Sequence, residues 1–462
     1  MYRKQYHIHF VGIGGIGMSG IAELLLNLEY KVSGSDLSSS DITARLTRLG
    51  GTIFKGHAQG QVGDADVVVI SSAVKSDNPE VLEARQAGIP VIPRAEMLAE
   101  LMRLKYSVAV AGSHGKTTTT SIIAALLEKG GLDPTVVIGG KLKSTGSNAL
   151  LGKGDFMVAE ADESDGSFLK MSPTIAVVTN IDREHLDFYA DLTAVKKAFL
   201  SFIDRVPFYG RAVLCLDDEA VQDLIPEVKK PFVTYGLSTQ ADLQAKHIVI
   251  SGLASTFDVE YKGAPLGTVS LSLPGIHNVY NTLAGIAVGL ELGIPFGEIS
   301  EALSTLQGVA RRMEIKGTCR DVVVMDDYGH HPTEIKATLK AARASFPDRR
   351  HVVVFQPHRY TRTQALFDEF SRAFYQSDVL VMLPIYSAGE KEIVGIDSAS
   401  LCGAVSAHGH KEAVCVADKA GALAYLKEHL KPNDLLLTLG AGDVWQVGMM
   451  VLEFFQKGET GA

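Results

Sequence analysis

Short apolar runs alternate along the chain with longer segments in which apolar residues recur every three or four positions. The first pattern marks strands and the second amphipathic helices, and their regular alternation predicts parallel α/β sheets. Three blocks emerge. In the first, strands are expected at 7–11, 31–35 and 67–71, with helices over 16–28 and 94–104. The second opens with a strand over 107–111 and a helix over 117–128 that Gly130 and Gly131 stop; strands follow at 156–159 and 175–179. From 211 to 273 the pattern reads as more antiparallel. Phe257, Val259 and Tyr261 alternate there with polar residues ahead of a Lys262–Gly263 turn. A helix rich in small residues spans 279–292, and the third block has strands at 322–325, 352–355, 379–383 and 435–439. The expected domains are 1–105, 106–311 and 312–462, with no internal repeat or low-complexity tract.

Composition narrows the partners. A chain of 462 residues with 46% hydrophobic and 21% charged residues has the balance of an ordinary globular protein with room for several domains. The formal charge of −9, with basic residues dispersed among acidic ones, argues against nucleic acid or a membrane surface as partner and leaves room for a small anionic substrate. No apolar run is long enough to insert into a membrane. Arg3 and Lys4 precede an apolar stretch, but the glycines from Gly12 to Gly20 and then Glu23 favour a strand, loop and helix over a signal peptide. Cys215, Cys319, Cys402 and Cys415 form no metal-type or CxxC spacing, so reduced thiols in a cytoplasmic protein are expected.

Two glycine loops carry chemistry. Gly12-Ile-Gly14-Gly15-Ile16-Gly17 lies between a strand and a helix, with Asp36 about 20 residues on at a strand end. Such a loop lets the backbone approach a pyrophosphate at a helix N-terminus; NAD, another diphosphate, and a structural turn all remain open readings of it. The second, Gly112-Ser113-His114-Gly115-Lys116-Thr117-Thr118, ends like a P-loop, although the first glycine of the standard pattern is replaced by Val110. Its backbone N–H groups suit phosphates, Lys116 the β/γ-phosphates, and Thr117 a Mg²⁺ ion. Glu160, Asp162 and Glu163 end one neighbouring strand, and Asn180, Asp182, Glu184, His185 and Asp187 another, where ligands bind in open parallel sheets. A dehydrogenase needs one dinucleotide site and no triphosphate site, so two such loops weaken the NAD reading.

In the third block, Asp326-Asp327-Tyr328-Gly329-His330-His331-Pro332 and Gln356-Pro357-His358-Arg359-Tyr360-Thr361-Arg362 follow strand ends. Paired arginines suit carboxylates and phosphates. Gly440-Ala441-Gly442-Asp443 reads as a further phosphate loop or as a tight αβ connection.

Taken in order, HFVGIGGIGMSGIAE from His9, AGSHGKTTTT from Ala111, EADESDGSF from Glu160, TNIDREHLD from Thr179, GIHNVYN from Gly275, DDYGHHPTEI from Asp326 and QPHRYTRT from Gln356 resemble the Mur ligase family over essentially the whole chain. The resemblance implies three domains: a Rossmann-like UDP-binding domain, a central P-loop ATPase domain and a C-terminal Rossmann-like domain that closes over the site. It implies ATP and Mg²⁺ as cofactors. The reaction implied joins L-alanine to the lactyl carboxylate of UDP-N-acetylmuramic acid through an acyl phosphate, in peptidoglycan precursor synthesis. The alternative is a ligase that recycles a whole tripeptide onto the same sugar nucleotide; Tyr328 favours alanine. By the same resemblance, Gly14, Gly15, Ile16, Gly17, Asp36 and Ser71 hold the UDP-sugar. Gly112 to Thr118 hold ATP with Asn278, Asn281, Arg312 and Asp327. Thr117, Glu160 and His185 hold the metal, Lys116 and Arg312 neutralise the transferring phosphate, and Tyr328, His330, Arg359 and Arg362 form the amino-acid pocket, with His330 a candidate base.

Overall fold

A computed structural model describes residues 6–71, 73–139, 149–185, 188–306 and 308–459. The chain folds as two compact units. The first comprises Met1–Lys246, Asp258–Val269 and Tyr280–Gln307, and the second His247–Phe257, Ser270–Val279 and Gly308–Ala462. Three sheets carry the architecture.

The first sheet contains β1 (His7–Val11), β2 (Lys31–Asp36), β3 (Thr52–Lys55), β4 (Val67–Ile70) and β5 (Val91–Pro93), in the order β3-β2-β1-β4-β5. All pairs are parallel, which is the Rossmann-like arrangement. The chain reverses direction across the sheet at β1, so a crevice opens at its carboxyl end, where the first glycine loop leads into the helix Ile16–Asn27. β3 and β5 are short and only partly buried, and their weak apolar signal hid them from the sequence pattern.

The central sheet contains β6 (Tyr106–Ala111), β7 (Thr135–Val137), β8 (Ala149–Leu150), β9 (Phe156–Glu160), β10 (Ile175–Val178), β11 (Arg211–Cys215), β12 (Phe232–Gly236), β13 (Leu243–Ser251), β14 (Ala254–Tyr261) and β15 (Ala264–Leu271). Its order is β15-β14-β13-β12-β11-β10-β6-β9-β7-β8. β6 lies between β9 and β10, both parallel to it, so three carboxyl ends converge beside the second glycine loop. The antiparallel expectation for 211–273 is corrected in its first part: β10, β11, β12 and the start of β13 pair in parallel. β11 is an almost fully buried apolar run, and the helix Glu219–Leu224 supplies part of the crossover that parallel neighbours require. The turn signal holds: Lys262 and Gly263 both have positive φ, 51° and 80°, as a two-residue hairpin turn demands.

The second unit is built on β16 (Glu314–Cys319), β17 (Val322–Asp327), β18 (Arg350–Phe355), β19 (Val379–Met382), β20 (Ala413–Cys415) and β21 (Asp434–Leu439), ordered β16-β17-β21-β18-β19-β20. Only the edge strand β16 is antiparallel. The continuous apolar runs of β17 and β18 reflect burial on both faces. Val323, Met325, Val353 and Phe355 join one core, and Val322, Val324, Val352 and Val354 join the other.

Cys215, Cys319 and Cys402 are buried and Cys415 is exposed, all as free thiols. Among the described residues no helix is long and apolar enough to cross a membrane. In the first unit Phe168 is wholly buried, stacked on Phe202 at 5.1 Å and edge-on to Phe199 at 5.3 Å. Phe168→Ala removes that filling and leaves a cavity, so urea unfolding of the first unit followed by circular dichroism should register a loss of about 3–5 kcal/mol.

Candidate active site

The first glycine loop is held from β2. The Ser35 carbonyl accepts hydrogen bonds from the N–H groups of Gly12 and Ile13 at 2.8 and 2.9 Å. Asp36 accepts from Gly14 N at 2.9 Å, so one oxygen of this carboxylate shapes the loop itself. Gly15 caps the helix that Ile16 opens; the Ile16 side chain lies outside the described residues. A Cβ at Gly17 would run into the guanidinium of Arg94, which reaches Asp162 of the central sheet at 3.6 Å. The Ser71 hydroxyl faces Gly12 from the end of β4.

The second loop is laced to the segment that follows β10. Ser113 N donates to the Asn180 carbonyl (3.1 Å), and His114 N to the Asn180 side chain (2.8 Å). In return Thr179 Oγ1 and Asp182 N donate to the His114 carbonyl and the Ser113 hydroxyl at 2.6 and 2.8 Å. Gly112 has φ +135°, and any Cβ there would overlap the Thr179 hydroxyl. Gly115, also at positive φ, starts the helix Lys116–Lys129 and leaves room for the Asn281 amide, which accepts from Thr119 Oγ1 at 3.2 Å. Thr117 and Thr118 lie in the first turn of that helix.

Lys116 is the charge centre of this region. Its Nζ donates to both Glu163 carboxylate oxygens, at 2.7 and 2.9 Å, and to the Gly112 carbonyl at 2.6 Å. Burial alone would depress the ammonium, but the Glu163 and Asp162 carboxylates outweigh it and hold Lys116 above the usual lysine range. Burial would likewise raise Glu163, yet Lys116 and His185 keep it below the usual carboxylate range. His185, at φ +56°, has its Nε2 3.6 Å from Glu163 and 3.7 Å from Glu184. Glu163, Glu184 and His185 offer ligand atoms that all lie within 4.8 Å of one another. Glu160 ends β9 one strand away, its carboxylate against Gly139. Oxygen-rich side chains with one imidazole suit a hard divalent cation.

In the second unit the polar clusters meet at the carboxyl edge of the sheet. The Tyr328 ring is flanked by the guanidinium carbons of Arg311 and Arg312, 5.1 and 5.3 Å from its centroid. Arg311 is tied to Asp326 (2.9 Å) and to the carbonyls of Gly440 and Gly442 (2.7 and 3.1 Å). The Gly440–Asp443 turn is therefore an arginine-held connection. Asp327 accepts from Met313 N, Gly329 N and the Thr338 hydroxyl, so its oxygens brace the chain around Arg312. His277 is half-buried nearby; desolvation first, then Arg312, push its imidazole down to about 4. Asn278 donates to the Pro274 carbonyl. His330 packs edge-on to Tyr328 (5.4 Å) and against His358 (5.8 Å), which stacks on Tyr386 (5.5 Å). Arg362 contacts His358 Nδ1 at 3.3 Å, and Arg359, at φ +69°, points toward Glu390. Burial holds His330 well below the usual histidine range and His358 at about 4, so both are neutral acceptors near pH 7.

The chain matches the Mur ligase family catalytic domain over residues 7–106, the Mur ligase middle domain over 110–289 and the Mur ligase glutamate ligase domain over 311–442. The UDP-N-acetylmuramate–L-alanine ligase of Desulfosudis oleivorans is 66% identical to it over 98% of this chain and 99% of the relative. That of Geobacter sulfurreducens is 58% identical over 97% of each. The chain belongs to the Mur ligase family. Its three sheets correspond to the N-terminal, middle and C-terminal domains of that architecture. The crystal structure of a UDP-N-acetylmuramate-alanine ligase from Thermotoga maritima superposes with a TM-score of 0.82 at 32% identity, covering 98% of this chain and 99% of that one. A murein peptide ligase from Psychrobacter arcticus gives 0.72 at 25% identity, covering 97% and 98%.

Within this Mur ligase fold, sequence reasoning missed Arg94 and Arg311, included His277 and His358 in its motifs without a role for either, and named Glu163 without its pairing to Lys116. Glu163 and His358 sit inside quoted stretches, so their neighbours were the available signal; Arg94 and Arg311 gain their roles only through folding. Gly112→Ala should displace the second loop and weaken ATP binding at least about ten-fold, equivalent to 1.4 kcal/mol. Calorimetric titration with ATP and, separately, with the sugar nucleotide checks that only the former changes.

Proposed function

We propose that this chain is an ATP-dependent, amide-forming ligase of the cytoplasm that joins L-alanine to the lactyl carboxylate of UDP-N-acetylmuramic acid. The observation that carries the reading is near-full-length similarity, 66% over 98% of the chain, to a relative named for that reaction. Two glycine loops on different sheets fit it, one for a sugar nucleotide and one for ATP, and argue against NAD. Domain limits near 105 and 311 follow the same reading. The relatives favour L-alanine over the tripeptide alternative.

A carboxylate is a poor acyl donor. The lactyl carboxylate oxygen attacks the γ-phosphorus of ATP and ADP leaves; the alanine amine then attacks the acyl carbon and phosphate leaves. Lys116, held in place by Glu163, neutralises the transferring charge rather than water doing so, and family resemblance gives Arg312 the same task. Thr117, Glu160 and His185 would hold Mg²⁺, with Glu163 and Glu184 grouped around His185; the ion supplies further neutralisation of the phosphates when bound. Asn278 and Asn281 serve the nucleotide base side, and Asp327 acts by bracing Arg312. Arg359 and Arg362 take the amino acid carboxylate in a two-cation arrangement. Tyr328 walls the pocket. His330, neutral and half-buried, is the candidate acceptor of the amine proton.

Incubation with ATP, UDP-N-acetylmuramic acid, mixed amino acids and the L-alanyl-containing tripeptide, followed by mass identification of the adduct, should yield the alanyl product; a tripeptide-only or absent adduct contradicts the proposal. Lys116→Ala should abolish ligation while the sugar-nucleotide Kd stays within about three-fold, because the two loops serve different ligands. A comparable loss of both contradicts that division.

A further inference from the structure

The first sheet contains a buried polar chain that the reaction does not use. His7 Nδ1 lies 2.8 Å from Asp64, and His7 Nε2 2.7 Å from the Ser33 hydroxyl. The same hydroxyl lies 2.7 Å from His9 Nδ1, and His9 Nε2 2.8 Å from Glu80. Glu80 also accepts from the Ser35 hydroxyl at 2.7 Å and faces His57 Nδ1 at 3.2 Å and the Gln61 amide at 3.0 Å. His9, Ser35 and Glu80 are fully buried. The other charged groups facing the chain are Lys31, 2.7 Å from Asp64, and Asp66, which accepts from His7 N.

Hydrogen counting constrains this arrangement. A carboxylate only accepts, so His7 Nδ1 and His9 Nε2 each carry a proton. Two neutral imidazoles would then turn lone pairs toward Ser33 from both sides, and a hydroxyl has one hydrogen to give. All four contacts are satisfied only if the chain holds one further proton. Asp64 does not take it: its hydrogen bonds from Lys31 and His7 bring its carboxyl down to about 2. Burial would raise Glu80, but the His9 and Ser35 hydrogen bonds outweigh it and hold the carboxyl below its usual range.

The chain runs through Ser35, whose hydroxyl also lies 2.8 Å from the half-buried His57 Nδ1 and whose carbonyl holds the N–H groups of Gly12 and Ile13. We propose that Glu80 is a positioning residue for the sugar-nucleotide site, fixing Ser35 and through it the first glycine loop by a buried chain that carries one dischargeable proton. This rests on the assignment of the first loop to the UDP-sugar. The bonded state is complete while the extra proton is held and loses a bond as pH rises through its release. The diphosphate of a sugar nucleotide stays ionised throughout that range, and ionisation of its uracil imide at the alkaline end is common to wild type and variants, so the difference between their profiles isolates the protein's contribution.

Glu80→Gln separates proton from shape. An amide nitrogen in place of the oxygen shared by His9 and Ser35 donates to both, His9 then donates to Ser33, Ser33 to His7, and no extra proton is needed. Glu80→Ala leaves buried donors without an acceptor. The test is calorimetric titration of the full chain with UDP-N-acetylmuramic acid, and separately with ATP, from about pH 6 to about pH 9, the span in which histidine-linked protons are exchanged. The wild-type sugar-nucleotide Kd should rise several-fold with pH and that of Glu80→Gln should stay flat. Glu80→Ala should bind the sugar nucleotide about ten-fold more weakly throughout. ATP affinity should be the same in all three. A Glu80→Gln profile that parallels wild type, or a folded Glu80→Ala with wild-type affinity, overturns the proposal alone. Absence of sugar-nucleotide binding by the wild type overturns it together with the reading it rests on. If Glu80→Ala does not fold, the wild-type and Glu80→Gln profiles decide.

Discussion

A lysine ammonium taken out of water must be paired, and the pairing of Lys116 with Glu163 organises the central sheet of this protein. The strand β6 delivers Lys116 through the glycine loop, and β9 leads to Glu163. The segment after β10 brings His185 to the same carboxylate and ties down the loop through Asn180 and Asp182. Three parallel strands with their carboxyl ends together are the simplest way to converge these groups. Lys116 is thereby a cation fixed in place beside the loop, and a fixed cation is what a transferring phosphate needs and water cannot provide without reorganisation.

The same economy recurs in the other two sheets. In the first, a carbonyl and a carboxylate on consecutive residues, Ser35 and Asp36, fold the glycine loop, so the loop's shape depends on a strand whose buried side chains are polar. In the second unit, Arg311 spends its hydrogen bonds on Asp326 and the Gly440–Gly442 carbonyls, while its neighbour Arg312 lies over Tyr328. Adjacent arginines with identical chemistry thus have different surroundings although both lie over the Tyr328 ring, and Arg311 takes its place with a backbone φ of 61°.

Much of this was legible in the residues. Runs such as Val322–Met325 announced strands buried on both faces, and both glycine loops were readable because strand, glycine and helix must follow one another there. What escaped had physical reasons. The strand at Thr52–Lys55 is half-exposed and mixes polar with apolar residues, so no periodicity betrayed it. The parallel pairing of β11 and β12 depends on a crossover that a pattern of apolar runs does not encode. Arg94 and Glu80 look like ordinary surface charges of helix starts, and burial against residues 60 to 80 positions away gives them their roles. Resemblance to a family named Glu160 and His185 together, whereas the geometry brings His185 to Glu163 and Glu184.

The central claim is that the positively lined second loop activates a carboxylate by transfer of the γ-phosphoryl group of ATP. UDP-N-acetylmuramic acid labelled with ¹⁸O in both lactyl carboxylate oxygens tests it directly. During ligation of alanine, one label should leave in inorganic phosphate and the other should remain in the new amide, with ADP as the nucleotide product. Unlabelled phosphate, or release of AMP carrying the label, would contradict the account.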